Sequence, residues 1–231
     1  LMGTLGEAEK PRDRYTLDEL LALAELSGGG FCYFGNPFVS WGHFAISPDY
    51  FPDGDAGLKR AVDQAAARGI RLGFHTLSNF IHTHDPYVTP VPDPELLIMD
   101  ETTLARDVGE ADTEILVSGR CHYLENSALN CVRMGDELAR FRTAVEAAAG
   151  VRLIGVERGA FGTHIASHRA GERICRLQDH GYRTLYPTLK LQAEMAERVG
   201  TILRETGVCR MSFDGMEGCL ATGRDEYGCS E

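Results

Sequence analysis

Apolar positions follow helical and strand periodicity in turn over residues 1–94. The stretch TLDELLALAEL has helical spacing and begins at Thr16, which is a favourable N-cap residue. A second helix is predicted after FPDG, because its apolar positions share one face: Leu58, Ala61, Val62, Ala65 and Ala66. The neighbouring runs FCYFG and IRLGFHT have the composition of buried strands. This alternation is typical of a parallel α/β sheet.

The pattern changes over residues 95–179, where short apolar runs are separated by glycine, aspartate and asparagine. The runs TEILVSG, VRLIGVERG and GERICRL are of strand length and composition. Gly135, Asp136 and Glu137 are predicted to form a hairpin turn between two further strands. We therefore predict a small antiparallel β module in this part of the chain.

Helix and strand patterns return over residues 180–231. A long amphipathic helix is predicted to end at Gly207, and its apolar face consists of Leu191, Met195, Val199 and Ile202. The strand VCRMSFDG follows and stops on Asp214. The β module thus lies between the strand IRLGFHT and the helix that should follow it.

The predicted fold class is α/β, of the (β/α)8 TIM-barrel type, with the antiparallel β module inserted in a βα loop. Residues 1–94 are the first part of the barrel, residues 95–179 the β module, and residues 180–231 the continued barrel. A complete barrel needs roughly 200 to 250 residues without insertions. Too little chain remains outside the module, so we expect the N-terminal portion of a larger barrel.

Composition limits the kinds of partner. The chain is 43% hydrophobic and 25% charged, as is ordinary for a soluble protein, and its formal net charge is -11. That charge argues against nucleic acid and anionic membranes as partners, and no secretory leader or membrane-spanning run is recognised. The seven cysteines form no CxxC pair, so we expect mostly buried free thiols and no zinc site. Compartment and oligomeric state stay open.

Two motifs flank the second helix: FPDG at residues 51–54 and GIRLG at residues 69–73. With the aromatic loop before them, they resemble the melibiase-like glycoside hydrolases, the clan that contains the α-galactosidases. The resemblance covers roughly half of the chain. It implies that Asp214, in Ser212-Phe213-Asp214, is the catalytic nucleophile. Ser212 stands where that family has a lysine that contacts the sugar, so the resemblance implies no galactoside specificity.

A retaining glycosidase needs a nucleophilic carboxylate and a second carboxyl group about 5 to 5.5 Å away. Asp214 suits the first role, and Glu217 is a candidate for the second. In the resembled family the acid/base comes from a later strand, which would lie beyond Glu231. Both residues have a simpler explanation, because Asp-Gly is a common turn dipeptide and loop carboxylates are often only solvated.

Histidines and aromatic residues gather in the loops near these strands. His75 ends its strand and should face the same edge of the sheet as Asp214. The candidate substrate-binding residues are Trp41, His43, His75, Asn79, His84, Asp85 and Tyr87. Ordinary loop packing is the alternative for each. His82, His84 and Asp85 could also be metal ligands, but an HxH pair without a fixed third ligand favours a polar loop, so no metal and no cofactor is predicted.

The predicted function is a glycoside hydrolase that acts on a glycan with a retaining mechanism. One alternative is a polysaccharide lyase acting on uronic acids, with its base among His75, His82, His84 and Tyr87. Another is a non-catalytic glycan-binding barrel fragment. Motifs for dinucleotides, P-loop phosphates, serine hydrolases and HExxH metalloproteases are absent from the sequence. The expected partner is therefore a carbohydrate, and neither nucleic acid nor a membrane.

Overall fold

The computed structural model describes residues 16–77, 79–119 and 122–215. Within them the α-helices are α1 (Leu17–Leu26), α2 (Asp55–Ala67) and α3 (Leu189–Thr206). The strands are β1 (Phe31–Tyr33), β2 (Arg71–Leu77), β3 (Ile81–His82), β4 (Ile98–Thr103), β5 (Glu114–Val117), β6 (Cys131–Met134), β7 (Glu137–Arg140), β8 (Thr143–Ala147), β9 (Gly150–Ile154), β10 (Arg173–Leu177), β11 (Asp179–His180), β12 (Thr184–Leu185) and β13 (Arg210–Asp214). Short 3-10 helices cover His122–Leu124 and Ala160–Gly162.

Local sequence explains where the helices begin and end. Thr16 caps α1, because its Oγ1 accepts a hydrogen bond from the Glu19 N–H at 3.3 Å. In return, the Thr16 N–H donates to Oε2 of Glu19 at 2.7 Å, which completes a capping box. Helix α3 ends at Gly207, whose φ is 75°. The predicted apolar face of α3 is confirmed, since its members are buried: Leu191, Met195, Val199 and Ile202.

A three-stranded parallel sheet in the order β1-β2-β13 organises the α/β part. Cys32 of β1 pairs with Leu72 of β2, and His75 of β2 pairs with Ser212 of β13. Leu72 is buried in a hydrophobic core to which α2 and α3 also contribute. Because the three strands are parallel, their carboxyl ends meet at one edge of the sheet. Asp214 lies at that edge.

Antiparallel sheets are formed by the chain between Ile98 and Leu177, which lies between β2 and α3 in sequence. One has the order β4-β10-β6-β7 and another the order β5-β9-β8. The predicted hairpin is confirmed, because Met134 pairs with Glu137 across Gly135 and Asp136, although Glu137 belongs to β7 and not to the turn. A separate core fills this region, with Val117, Val132, Phe141, Leu153 and Ile174 among its buried members. The domain boundaries at residues 94 and 179 stay a prediction.

A further small sheet, in the order β11-β12-β3, was not predicted from the sequence. Thr184 of β12 pairs with His82 of β3, and Leu185 pairs with Ile81. Strands β11 and β12 are antiparallel and joined by the turn at residues 181–183. This pairing brings the turn next to the loop that follows β2, although the two are distant in the chain.

The described residues therefore form a mixed α/β fold, as the coarse fold class predicted. The parallel sheet within them has three strands, so the closed (β/α)8 barrel stays a prediction. Among the described helices, none has the length and apolar character needed to cross a membrane. The thiols of Cys131 and Cys175 are buried as expected, whereas Cys32 is half-buried and Cys209 is exposed.

Candidate functional site

A cleft of about 440 Å³ opens where β2 ends. Strand β2, the loop after β1, strand β3 and the β11–β12 turn all contribute to it. The described residues that line it are Asn36, Trp41, His75, Thr76, Leu77, His82, Gly181, Tyr182 and Arg183. Aromatic rings and hydrogen-bonding groups thus share one concave surface, a combination that suits a polar ligand with a flat apolar face.

Asp214 and His75 meet beside this cleft, at the ends of adjacent parallel strands. Oδ2 of Asp214 lies 3.9 Å from Nε2 of His75, which permits electrostatic attraction but is too long for a hydrogen bond. Both side chains are accessible, with exposed fractions of 67% and 50%. The Gly215 N–H donates to Oδ1 of Asp214 at 2.8 Å. The carboxylate is therefore held at the sheet edge while Oδ2 faces the histidine.

His82 forms the centre of a stack of three rings. Its centroid is 3.9 Å from that of Trp41 and 4.9 Å from that of His84, and both interplanar angles are 18°. Its Nδ1 accepts a hydrogen bond from the Trp41 N–H at 2.9 Å, so a neutral His82 carries its proton on Nε2. Burial, and secondarily the nearby His84, lowers the pKa of His82 to about 4. The imidazole is consequently neutral at physiological pH.

The HxH pair does not converge on a common point. His84 turns its Nε2 towards the carbonyl oxygen of Val39, to which it donates at 3.2 Å. Nδ1 of His82 is already bonded to the backbone of Trp41. In the part of the chain that the structure describes, no group of three histidine, cysteine or acidic side chains is placed to hold a metal ion.

Asp85 is fully buried and holds the loop at residues 40–43. Its Oδ2 accepts hydrogen bonds from Oγ of Ser40 at 2.5 Å and from the His43 N–H at 3.0 Å. Its Oδ1 lies 2.7 Å from Nδ1 of His43 and accepts from the Tyr87 N–H at 3.0 Å. These contacts use both carboxylate oxygens. Asp85 therefore acts inside the protein, as the support of a loop that carries Trp41.

His43 and Tyr87 lie against each other on the outer side of this support. Their ring centroids are 3.8 Å apart. Burial, followed by the nearby carboxylates of Glu194, Asp85 and Asp93, raises the pKa of Tyr87. A raised pKa makes Tyr87 a poor general base at neutral pH.

Comparison with known proteins gives distant matches among solved structures. No protein-family model matches the chain, and no curated protein is similar to it. Among solved structures, a family GH13_31 enzyme shares 14% identity at a TM-score of 0.43, over 87% of this chain and 32% of its own length. A MUTB mutant from crystals soaked with trehalulose shares 12% identity at a TM-score of 0.44, over 87% of this chain and 31% of its own length. A sucrose 6F-phosphate phosphorylase from Thermoanaerobacter thermosaccharolyticum shares 12% identity at a TM-score of 0.43, over 93% of this chain and 39% of its own length.

These neighbours are carbohydrate enzymes of the general glycoside hydrolase kind and not melibiase-like enzymes. The resemblance to the melibiase-like clan stays a prediction. The chain spans about a third of the length of these structures. With TM-scores below 0.5, the likeness is too distant to assign a fold or a function.

The structure brings some of the predicted site residues together and leaves others apart. Trp41 and His75 line the cleft, and Asp214 adjoins it through His75. The remaining candidates are not among the described lining residues: His43, Asn79, His84, Asp85 and Tyr87. Glu217 lies outside the described residues. The roles in catalysis and substrate binding stay predictions for all of these positions.

Sequence reasoning missed the turn between β11 and β12. Tyr182 is 53% exposed and its ring lies 4.6 Å from that of His180 and 5.7 Å from that of Phe80. Arg183 has a φ of 60°, which is uncommon for a residue with a side chain. The available signal was HGYR between two short apolar runs, a glycine-bearing turn with an aromatic and a basic residue.

Proposed function

We propose that this chain is part of a barrel glycoside hydrolase that cleaves a glycan with retention of configuration. The observation that carries the proposal is the meeting of Asp214 and His75 at the carboxyl ends of adjacent parallel strands, beside a cleft with aromatic walls. In α/β barrels catalytic groups stand at this edge. Asp214 is accessible there, as a nucleophile must be.

In the proposed reaction, Oδ2 of Asp214 attacks the anomeric carbon and forms a glycosyl ester. A carboxylic acid gives its proton to the departing glycosidic oxygen, so that bond breaks without release of an alkoxide. Water then hydrolyses the ester, assisted by the same group as base. Glu217 is our candidate for this acid/base group, and His75 would orient Asp214 and donate to a sugar hydroxyl.

The aromatic rings supply the binding surface in this proposal. Trp41 and Tyr182 line the cleft and present apolar faces on which a sugar ring can stack. Because His82 is neutral, it adds a donor at Nε2 without adding a charge. The stack of Trp41, His82 and His84 keeps the tryptophan ring in a fixed orientation.

A polysaccharide lyase is the second candidate, and the cleft lining favours it in one respect. His75 and Tyr182 both line the cleft, and either could remove the proton next to a uronate carboxylate. The resulting carbanion expels the glycosidic oxygen and leaves an unsaturated ring, with no water consumed. His82 is disfavoured as the base, because its Nδ1 is bonded to the Trp41 N–H.

Product mass spectrometry on a glycan panel tests the proposal, with the longest natural reading frame that contains this sequence. Hydrolysis adds one water per cleavage, whereas elimination adds none and gives an unsaturated product. Asp214→Asn should abolish hydrolysis, while Asp136→Asn, at an exposed carboxylate in the β6–β7 turn, should not. Unsaturated products would contradict the hydrolase and indicate that the protein is a lyase. Sugar binding without any turnover would indicate a glycan-binding protein and overturn both enzymes.

A further inference from the structure

Arg183 is held over the cleft by an unusual backbone. It lines the cleft at the turn between β11 and β12, and its φ of 60° lies in the left-handed region. Its N–H donates to the His180 carbonyl oxygen at 2.8 Å, which closes the turn. Residues with side chains in this region concentrate at ligand-binding sites, where the surrounding structure maintains them.

The Arg183 guanidinium has no partner within the described residues, where it makes neither a side-chain hydrogen bond nor an ion pair. Several other arginines of this acidic chain are paired, as Arg198 is with Asp55 and Arg173 with Glu101. The described residues that line the cleft include no aspartate or glutamate. Arg183 is exposed to solvent, so its positive charge is accessible to a ligand that enters the cleft.

Further polar groups of the lining can hydrogen-bond to a ligand. Nε1–H of Trp41 and the hydroxyl of Thr76 are both buried without a partner in the described part of the chain. Thr76 is only 1% exposed, and both residues line the cleft. His82 offers its Nε2–H, because its Nδ1 is occupied. Buried polar groups without partners are costly, and the N–H groups of Trp41 and His82 can be satisfied only by an acceptor, so the lining favours a ligand that carries acceptor oxygens.

We propose that the cleft binds an anionic sugar and that Arg183 selects it by pairing with its carboxylate or phosphate group. A guanidinium offers two parallel donors, which match the two oxygens of either anion. The inference rests on the proposed function in one respect, namely that the ligand is a sugar. It adds the charge of the substrate for the hydrolase, and for hydrolase and lyase alike it adds the residue that recognises that charge.

Calorimetric titration with matched sugars tests this, again with the longest natural reading frame. Glucose, glucuronate and glucose 6-phosphate form one series, and galactose with its uronate and 6-phosphate forms another. At least one anionic sugar should bind about tenfold or more tightly than its neutral counterpart, because charged hydrogen bonds are the strong ones. A preference for the uronate assigns a carboxylate, and a preference for the 6-phosphate assigns a phosphate ester.

Substitutions test whether Arg183 causes the preference for the anionic sugar. Arg183→Gln should reduce the difference in affinity between the anionic and the neutral sugar to about twofold or less. Arg183→Lys should retain part of that difference, since lysine keeps the charge without the planar arrangement of donors. Arg152→Gln, which removes an exposed charge from β9, should leave it unchanged. Equal binding of neutral and anionic sugars, or a preference that survives Arg183→Gln, overturns the inference and leaves the carbohydrate function standing. Failure of the folded protein to bind or cleave any sugar overturns both.

Discussion

The backbone at Gly42 lies directly against the carboxylate of Asp85. A Cβ atom built on Gly42 would be 2.6 Å from Cγ of Asp85, and the φ of Gly42 is 125°. Both the space and the backbone conformation therefore require glycine. This close approach lets the buried carboxylate collect donors from Ser40, His43 and Tyr87 at once. The orientation of the loop that carries Trp41 into the cleft depends on it.

Gly42→Ala should destabilise the protein by more than about 2 kcal/mol, because it adds a steric clash to a strained φ. Urea denaturation measures the loss. Gly181→Ala is the matched control, since a Cβ atom there would meet no atom within 4 Å. Its effect should stay within about 0.5 kcal/mol. Equal denaturation midpoints for the two variants would contradict the role assigned to Gly42.

Asp85→Asn should destabilise the protein by about 1 to 3 kcal/mol, the cost of leaving a buried donor unsatisfied. The amide nitrogen cannot accept, so the donors that face one of the two carboxylate oxygens lose their partner. Ser40→Ala removes a single donor and should cost less. The free energy of unfolding of the two variants checks the order. A reversed order would show that Asp85 does not support the loop.

Protonation of His82 should make stability depend on pH. Its pKa in the folded protein is about 4, below the value of 6.5 for an unperturbed histidine. The unfolded chain therefore takes up the proton first. Stability from this group is fully present above pH 6.5 and decreases as the pH falls towards 4.

His82→Asn isolates this contribution, because an asparagine oxygen can still accept from the Trp41 N–H but does not titrate. The wild-type free energy of unfolding should fall relative to the variant between pH 6.5 and 4. An NMR titration of the His82 ring should show a midpoint near pH 4. Parallel pH profiles for the two proteins would exclude the lowered pKa.

Glu137 should control acid stability in the antiparallel region. Its buried carboxylate bonds to Arg158 at 2.6 and 2.8 Å and lies 3.0 Å from Nε2 of His168. Burial alone would raise its pKa, but bonds from Arg158, from the Ala166 N–H, from His168 and from the Gly159 N–H outweigh it. The pKa is therefore lower than 4.5, so this stability is present above pH 4.5 and is lost as the pH falls through the folded value.

Glu137→Gln should cost about 3 to 5 kcal/mol at neutral pH, because it leaves a buried arginine without its counter-charge. The variant should also lose less stability than the wild type below pH 4.5. Glu172→Gln is the control: Glu172 is 49% exposed and contacts Nδ1 of the same His168. Denaturation at several pH values distinguishes them. An equal cost for both variants would contradict a special role for Glu137.

The motifs behind the melibiase-like resemblance have local structural explanations. Gly54 precedes α2 and has a φ of 58°, and Phe51 is buried in the core three residues earlier. Gly73 of the second motif lies where a Cβ atom would be 2.7 Å from the Arg210 carbonyl oxygen of β13. Both motifs thus serve helix initiation and close strand packing. These needs recur in many α/β proteins, so the two motifs by themselves do not distinguish one clan from another.

The sequence by itself determined the helices, the longer strands and the edge at which β2 and β13 end. Their signals are local: the period of apolar residues, the cap at Thr16 and the stop at Gly207 each act within a few residues. The placement of His75 and Asp214 at one edge followed from the parallel α/β pattern. It needed no knowledge of individual contacts.

Only the tertiary structure decided which side chains reach the cleft. Asp85 is a polar loop residue by sequence, yet packing against Gly42 buries it. Arg183 comes to the cleft because β12 pairs with β3, and no local pattern specifies that pairing. Burial and strand pairing join segments that are distant in the chain. The energies of burial and strand pairing depend on contacts across the whole fold, so they cannot be inferred from neighbouring residues in the sequence.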